Sequence, residues 1–228
     1  MKKSFTISLI AMYAVLWVVP STWGMTDDHA GHATKQTNYR TELLSIRHAW
    51  AQIKYHKPKA ERRHAFASLL HQSEALNHIY PDQAEAMAWS AVILYHYAGE
   101  VGGLKALGMV KQSYHILLRA EAINPKAANG LIYTALGQLY YRVPGWPVAF
   151  GNDTKAKSYL RKALELNPDG LDANYFMGDY LLRKKRYRQA AEHLQRAIQA
   201  PPRKQFSIAD AGRKADALAL LQQVEHKI

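Results

Sequence analysis

The sequence predicts an all-α chain, a solenoid of about four antiparallel helix pairs followed by a C-terminal capping helix. Three observations predict it. Helical spacing of apolar residues runs almost without interruption from Arg40 onward. Prolines at 58, 81, 125, 168, 201 and 202 stand where helices stop and restart. Small residues return at fixed intervals, and Pro168 and Pro202 lie 34 residues apart. No stretch joins β-branched alternation to hairpin turns, so no sheet is expected.

The expected helices are 41–55, 60–79, 83–98, 104–123, 128–142, 154–166, 171–184, 187–199 and 208–226. The segment from Pro168 to Pro202 carries Gly178, Tyr187, Ala190, Leu194 and Ala197, then Ala200-Pro201-Pro202. Small side chains stand where two helices cross closely, and larger ones fill the pair. Upstream, Ala156, Ala163 and Pro168 keep the mutual spacing of Ala190, Ala197 and Pro202, and Ser113, Ala120 and Pro125 form a third set. Ala91 and Gly137 take the close-contact position of Gly178. With its 34-residue period, this pattern resembles the tetratricopeptide repeat family from about Asp82 to Pro202. Arg40 to Pro81 fits a degenerate first unit. The blocks "YRVPGWPVAFGN" and "NPDGLDANYFMGDYLL" also resemble a group of exported bacterial repeat proteins. The resemblance implies a right-handed α-solenoid with units at roughly 41–81, 82–125, 126–168 and 169–202, and a chain that binds other molecules without chemistry of its own.

The N-terminus reads as an export signal over residues 1–24. Lys2 and Lys3 precede an uncharged apolar run from Phe5 to Val19, and Pro20 and small residues follow. A cleaved signal places the mature chain in the periplasm or outside the cell. The rival is an uncleaved anchor in the inner membrane. Residues 25–39 lack Leu, Ile, Val and Phe and are expected to form a flexible tail. The last helix, 208–226, shows an apolar stripe of Ile208, Ala211, Ala215, Leu218 and Leu221. Its polar face includes Asp210, Arg213 and Asp216. Such a helix covers the open end of an array.

Two insertions, 98–106 and 143–153, each join the first helix of a pair to the second. They should therefore emerge on one edge. Trp146 and Phe150 in the second insertion favour burial, as a packing plug or as a lid over one end of the groove.

The chain has no Cys, which excludes thiol nucleophiles, disulfides and a lipid-modified Cys. No nucleophile elbow, phosphate loop or H-E-x-x-H pair appears, so no enzyme is expected. The net charge of +12 favours acidic partners or anionic lipid heads. With no recognised nucleic-acid module, nucleic acid is not an expected partner. The basic runs "KYHKPKAERR" (54–63) and "RKKRYR" (183–188) fall at turns. His64, His71 and His78 recur every seven residues, about 10.5 Å apart along a helix, too far to share one ion. His29 and His32 have a ligand spacing but lie in the expected tail. No metal or cofactor is expected.

In the resembled family the first helix of each pair lines the groove. Counting from the close-contact residues puts Glu85, Ala88, Val92, Tyr95 and His96 inward in the second unit. In the third these are Leu131, Thr134, Gln138, Tyr141 and Arg142; in the fourth, Asp172, Tyr175, Asp179 and Leu182. The Lys and Asn positions of the family's carboxylate clamp carry Ala88, Val92, Thr134, Gln138, Tyr175 and Asp179, so that clamp is missing. Gln138, Tyr141, Arg142, Tyr175, Asp179, Leu182 and Tyr95 are the candidate partner-binding residues, with Trp146 and Phe150 as a lid. The function read from the chain is a scaffold or adaptor holding an envelope protein or peptide in its groove. The alternative is a small-molecule module of transporter-associated type, its pocket closed by the loops 98–106 and 143–153.

Overall fold

Elements follow closely from the local signals. The computed structural model describes residues 26–228. The expected signal segment and Met25 lie outside them, as do the side chains of His29 and His32. The helices are α1 Thr26–Tyr55, α2 Lys59–Ile79, α3 Ala84–Val101, α4 Gly103–Ile123, α5 Leu131–Arg142, α6 Asp153–Leu166, α7 Leu171–Arg183, α8 Tyr187–Gln199 and α9 Ser207–Glu225. Single 3-10 turns, Ala127–Gly130 and Lys204–Phe206, precede α5 and α9. No strand occurs among the described residues, and none of their helices is long and apolar enough to cross a membrane.

The packed unit spans Asn38–Ile228. Its helices pair as α1/α2, α3/α4, α5/α6 and α7/α8, a right-handed α-solenoid of four pairs with α9 after the last. The close-contact positions are real. A Cβ on Gly178 would fall 2.7 Å from Leu194 Cγ, and one on Gly137 would fall 2.7 Å from Leu160 Cγ. Where Ala91 replaces glycine, Ser113 Oγ instead donates to the Ala91 carbonyl at 2.7 Å. Three apolar clusters run along the array. Tyr39, Trp50, Phe66 and Ile93 belong to the first, Leu117, Ile132 and Leu136 to the second, and Leu160, Leu194 and Val224 to the third.

Four expectations are corrected. Residues 26–39 are helical where a flexible tail was expected. Extending an existing helix needs only one new bond per residue. Tyr39, placed in that tail, is buried at 4% exposure. The insertion 98–106 adds helix, not loop: α3 and α4 lengthen to meet at Gly102. Finally, α5 starts at residue 131, three later than expected, because Ala128, Asn129 and Gly130 have φ of 53°, 50° and 92°. Two of these are non-glycine residues in a left-handed conformation, which proteins sustain mainly where the surroundings enforce it.

The fourth correction concerns α9. The stripe read from the sequence is buried only in part: Leu221 is buried and Ile208 half-buried, but Ala211, Ala215 and Leu218 face solvent. The buried face holds Asp210, Arg213, Ala217, Leu221 and Val224. The helix is rotated so that its charged residues point inward, because charged partners await them there.

Candidate functional site

The first helix of every pair and α9 together enclose a cavity of about 620 Å³. Its apolar wall includes Trp50, Trp89, Val92, Phe176 and Phe206. Its polar residues include Arg47, Glu85, Gln138, Asp172, Arg203 and Arg213. The left-handed residues Ala128 and Asn129 stand at its edge. This is the size and composition of a ligand pocket, apolar with a few convergent polar groups.

Asp172 organises one side. Its carboxylate accepts from Arg213 Nε at 2.9 Å and Arg203 Nη2 at 3.3 Å. Arg203 also grips Asp210 through Nε at 2.9 Å, Nη2 at 2.5 Å and its backbone N–H at 2.8 Å. Burial alone would push the Asp172 carboxyl up, but the two guanidinium groups together outweigh it and hold it below the ordinary range. Arg213 lies over the rings of Tyr175 and Phe176, 4.5 and 4.7 Å from their centroids, and also donates to Asp216 at 3.3 Å. Its charge is thus stacked, paired and buried at once.

Arg47 organises the opposite side. It donates to Glu85 at 3.0 Å and lies 3.9 Å from the centroid of Phe206. His48 approaches the carbonyl of Gln205 at 2.5 Å. The residues just before α9 are therefore strapped to α1. Arg47 Nε and the indole nitrogens of Trp50 and Trp89 are buried donors without an acceptor among the described residues. These three nitrogens are sealed within the packing and do not reach the cavity surface.

Deeper in, His96 sits among Trp50, Phe66 and Tyr95, stacked on Phe66 at 5.8 Å. Burial, then Lys54 and Arg213, hold its imidazole well below the usual histidine range, so it is neutral at pH 7. Burial, followed by Arg213, pushes the Lys54 ammonium down to about 8 against the pull of Asp216.

The candidate residues divide into two groups. Gln138 lines the cavity. Tyr175 is buried beneath Arg213. Tyr141, Arg142 and Asp179 converge elsewhere: Tyr141 donates to Asp179 at 2.6 Å, Arg142 pairs with the same oxygen, and Arg183 Nε lies 3.5 Å from the other. Tyr95 feels the charges of Arg142, Asp179 and Arg183, after burial, in its raised hydroxyl pKa. The Asp179 carboxylate, 3% exposed, is already saturated. Leu182 is half-buried. Ala88, expected to face inward, is fully buried in packing.

Neither lid residue reaches the cavity. Trp146 is 90% exposed. Phe150 stacks on Tyr114 at 4.3 Å and meets Tyr140 edge-on at 5.8 Å, so it is a packing plug. The loop 143–153 and the junction at 98–106 do not close the pocket. The segment 200–213 does, a role that the sequence reading gave to neither its turn nor its helix. Arg47, Trp50, Arg203, Phe206 and Arg213 were all missed. The signal available was the i, i+3 run Asp210, Arg213, Asp216, three charges on one helix face. No group of three or more acidic or histidine side chains suited to a metal ion occurs among the described residues.

Comparison with known proteins agrees with the repeat reading. The sequence profile described as Tetratricopeptide repeat matches residues 149–206. Among solved structures, a thermophilic TPR protein of Thermus thermophilus is 18% identical, with a TM-score of 0.49 over 84% of this chain and 96% of its own. PilF of Pseudomonas aeruginosa is 16% identical, with a TM-score of 0.35 over 87% of this chain and 100% of its own. No curated protein matches the sequence.

Proposed function

The chain is a tetratricopeptide repeat protein, and on that premise we propose that it is an exported adaptor that holds a short segment of an envelope protein in the cavity between its first helices and α9. The observation that carries this reading is the cavity itself, about 620 Å³, lined by every unit of the array. Proteins of this repeat type are commonly interaction scaffolds. An open groove would suit a long extended peptide, whereas this enclosure suits a few residues or a chain end. Aromatic walls supply contact area, and Gln138 and the charged groups set orientation. The guanidinium groups of Arg47 and Arg203 on its lining suit a ligand that brings acceptors, such as carbonyl or carboxylate oxygens.

The test is capture from envelope extract by the tagged protein and by Gln138→Trp, which fills the cavity from a half-buried position. The expected result is a defined partner retained by the parent and lost by the variant at unchanged melting temperature. Equal capture by both would overturn the assignment to the cavity.

Closure by the 200–213 segment favours a second reading, a small organic molecule with an acceptor group. Native mass spectrometry of the protein released from the envelope decides between them. A bound mass of a few hundred daltons that Gln138→Trp abolishes supports the small molecule.

A further inference from the structure

Each helix of the array runs antiparallel to the one before it, so the connections alternate between two edges. One edge carries the turns within pairs: α1 to α2, α3 to α4, α5 to α6 and α7 to α8. The other carries the turns between pairs, beside the cavity residues Asn129, Asp169 and Pro201. The edges differ sharply in charge. Segments 54–63, 98–106, 142–157 and 183–188 on the first edge hold fourteen Lys or Arg against three acidic residues. Segments 79–84, 121–131, 165–172 and 199–206 on the second hold three against five. Even with Asp216 and Asp179 counted, which pair with Lys54, Arg142 and Arg183 of this edge, most of the net charge of +12 resides on the first edge.

The same edge carries the two most exposed large apolar side chains among the described residues, Leu104 and Trp146. Leu104, just after the α3–α4 junction, is 91% exposed; Trp146 and Val148, in the α5–α6 loop, are 90% and 57% exposed. Solvated charge explains the lysines, but not a Trp and a Leu held out in water beside them. Phe150, four residues from Trp146, shows that this loop is able to bury a ring. The combination of an amphipathic ring and aliphatic tips among many cations suits the interface of an anionic bilayer, where Trp sits at headgroup depth and cations meet phosphate.

We propose that the edge formed by the turns within pairs docks on an anionic membrane surface, with Leu104 and Trp146 inserted and the basic turns, Lys185 and Arg186 foremost, on the lipid phosphates. The cavity mouth, beside the turns of the opposite edge, then faces away from the bilayer. This inference is independent of the ligand and of the N-terminal segment.

Residues 26–228 contain all three apolar clusters and are the material for the test, which removes the apolar N-terminal run as a source of lipid binding. Co-sedimentation at 0.15 M salt with vesicles of phosphatidylcholine and 30 mol% phosphatidylglycerol should retain the protein, and pure phosphatidylcholine should not. Lys185→Glu with Arg186→Glu should weaken retention by roughly tenfold or more, since each cation near the surface contributes substantially. Trp146→Ala, a change at a solvent-exposed site, should weaken it severalfold without altering the melting temperature. Equal binding to neutral vesicles, or no binding to anionic ones, overturns the proposal. So does retention that follows the basic residues but ignores Trp146. That outcome, with binding to polyglutamate equal to binding to lipid, would assign the edge to an acidic protein.

Discussion

Tyr55 of α1 donates its hydroxyl hydrogen to Asp216 of α9 at 3.2 Å, across 161 positions of the chain. The two helices touch so closely here that a Cβ on Gly212 would lie 2.4 Å from the Tyr55 ring. The first and last elements of the packed unit are therefore in contact. A repeat array is ordinarily stabilised by nearest neighbours alone, and its ends can open independently. This contact couples the ends and encloses the cavity between them.

Breaking that seam should loosen both ends together. Gly212→Leu is expected to destabilise by about 1–3 kcal/mol through overpacking, and Tyr55→Phe by about 1 kcal/mol through loss of one hydrogen bond. Hydrogen exchange should rise in α9 and in residues 46–55 alike. Exchange confined to α9 would show that the contact does not couple the ends.

Gly178→Leu should cost about 1–3 kcal/mol or more in chemical denaturation, because Leu194 Cγ and Cδ2 occupy the space that even a Cβ would need. Gly137→Leu should behave alike against Leu160. Unchanged stability in either would contradict the close crossing of the pair.

The repeat architecture was legible because it is local. Gly178, Ala190 and Ala197 announce a close crossing within one unit, and prolines mark where helices end. Gln138, Val92 and Asp172 could be placed inward by counting from those contacts. The closure was not legible. Arg213 and Asp216 look like a solvated face until the partners from distant elements, Asp172 on α7 and Tyr55 on α1, are brought to them. The lid assignment failed for a related reason. Two aromatics in one loop both suggest burial, yet only Phe150 has an aromatic pocket, made by Tyr114 and Tyr140. Hence Phe150→Ala should cost about 2–3 kcal/mol, and Trp146→Ala nothing measurable in a thermal melt.

Stability should fall in acid at two groups. His96 has a folded pKa well below its unfolded one, so below about pH 6.5 the unfolded chain binds a proton that the folded chain refuses. Stability then declines as pH falls, by up to about 1.4 kcal/mol per pH unit for one proton. Asp172, also depressed, contributes stability above its unfolded pKa that is lost as pH drops through its folded value. His96→Phe keeps the ring among Trp50, Phe66 and Tyr95 and should flatten the upper part of this decline, between about pH 6.5 and 5, while leaving the lower part. A variant with an unaltered profile would show that His96 is not held neutral.

Structural and binding roles should separate within the groove. Asp179 accepts from Tyr141 and pairs with Arg142 and Arg183. Removing this buried carboxylate leaves two guanidinium groups near one another without their shared partner. Asp179→Ala should cost about 3 kcal/mol or more. Tyr141→Phe should cost only about 1 kcal/mol. Neither side chain lines the cavity, so Tyr141→Phe should leave partner capture unchanged. Gln138 is the reverse case: it faces the cavity and has few structural duties, so Gln138→Ala should alter affinity with little change in melting temperature. Measured side by side, the two variants locate the ligand. If Tyr141→Phe weakens capture while Gln138→Ala is silent, the partner competes for the Asp179 cluster, and the cavity is not where it binds.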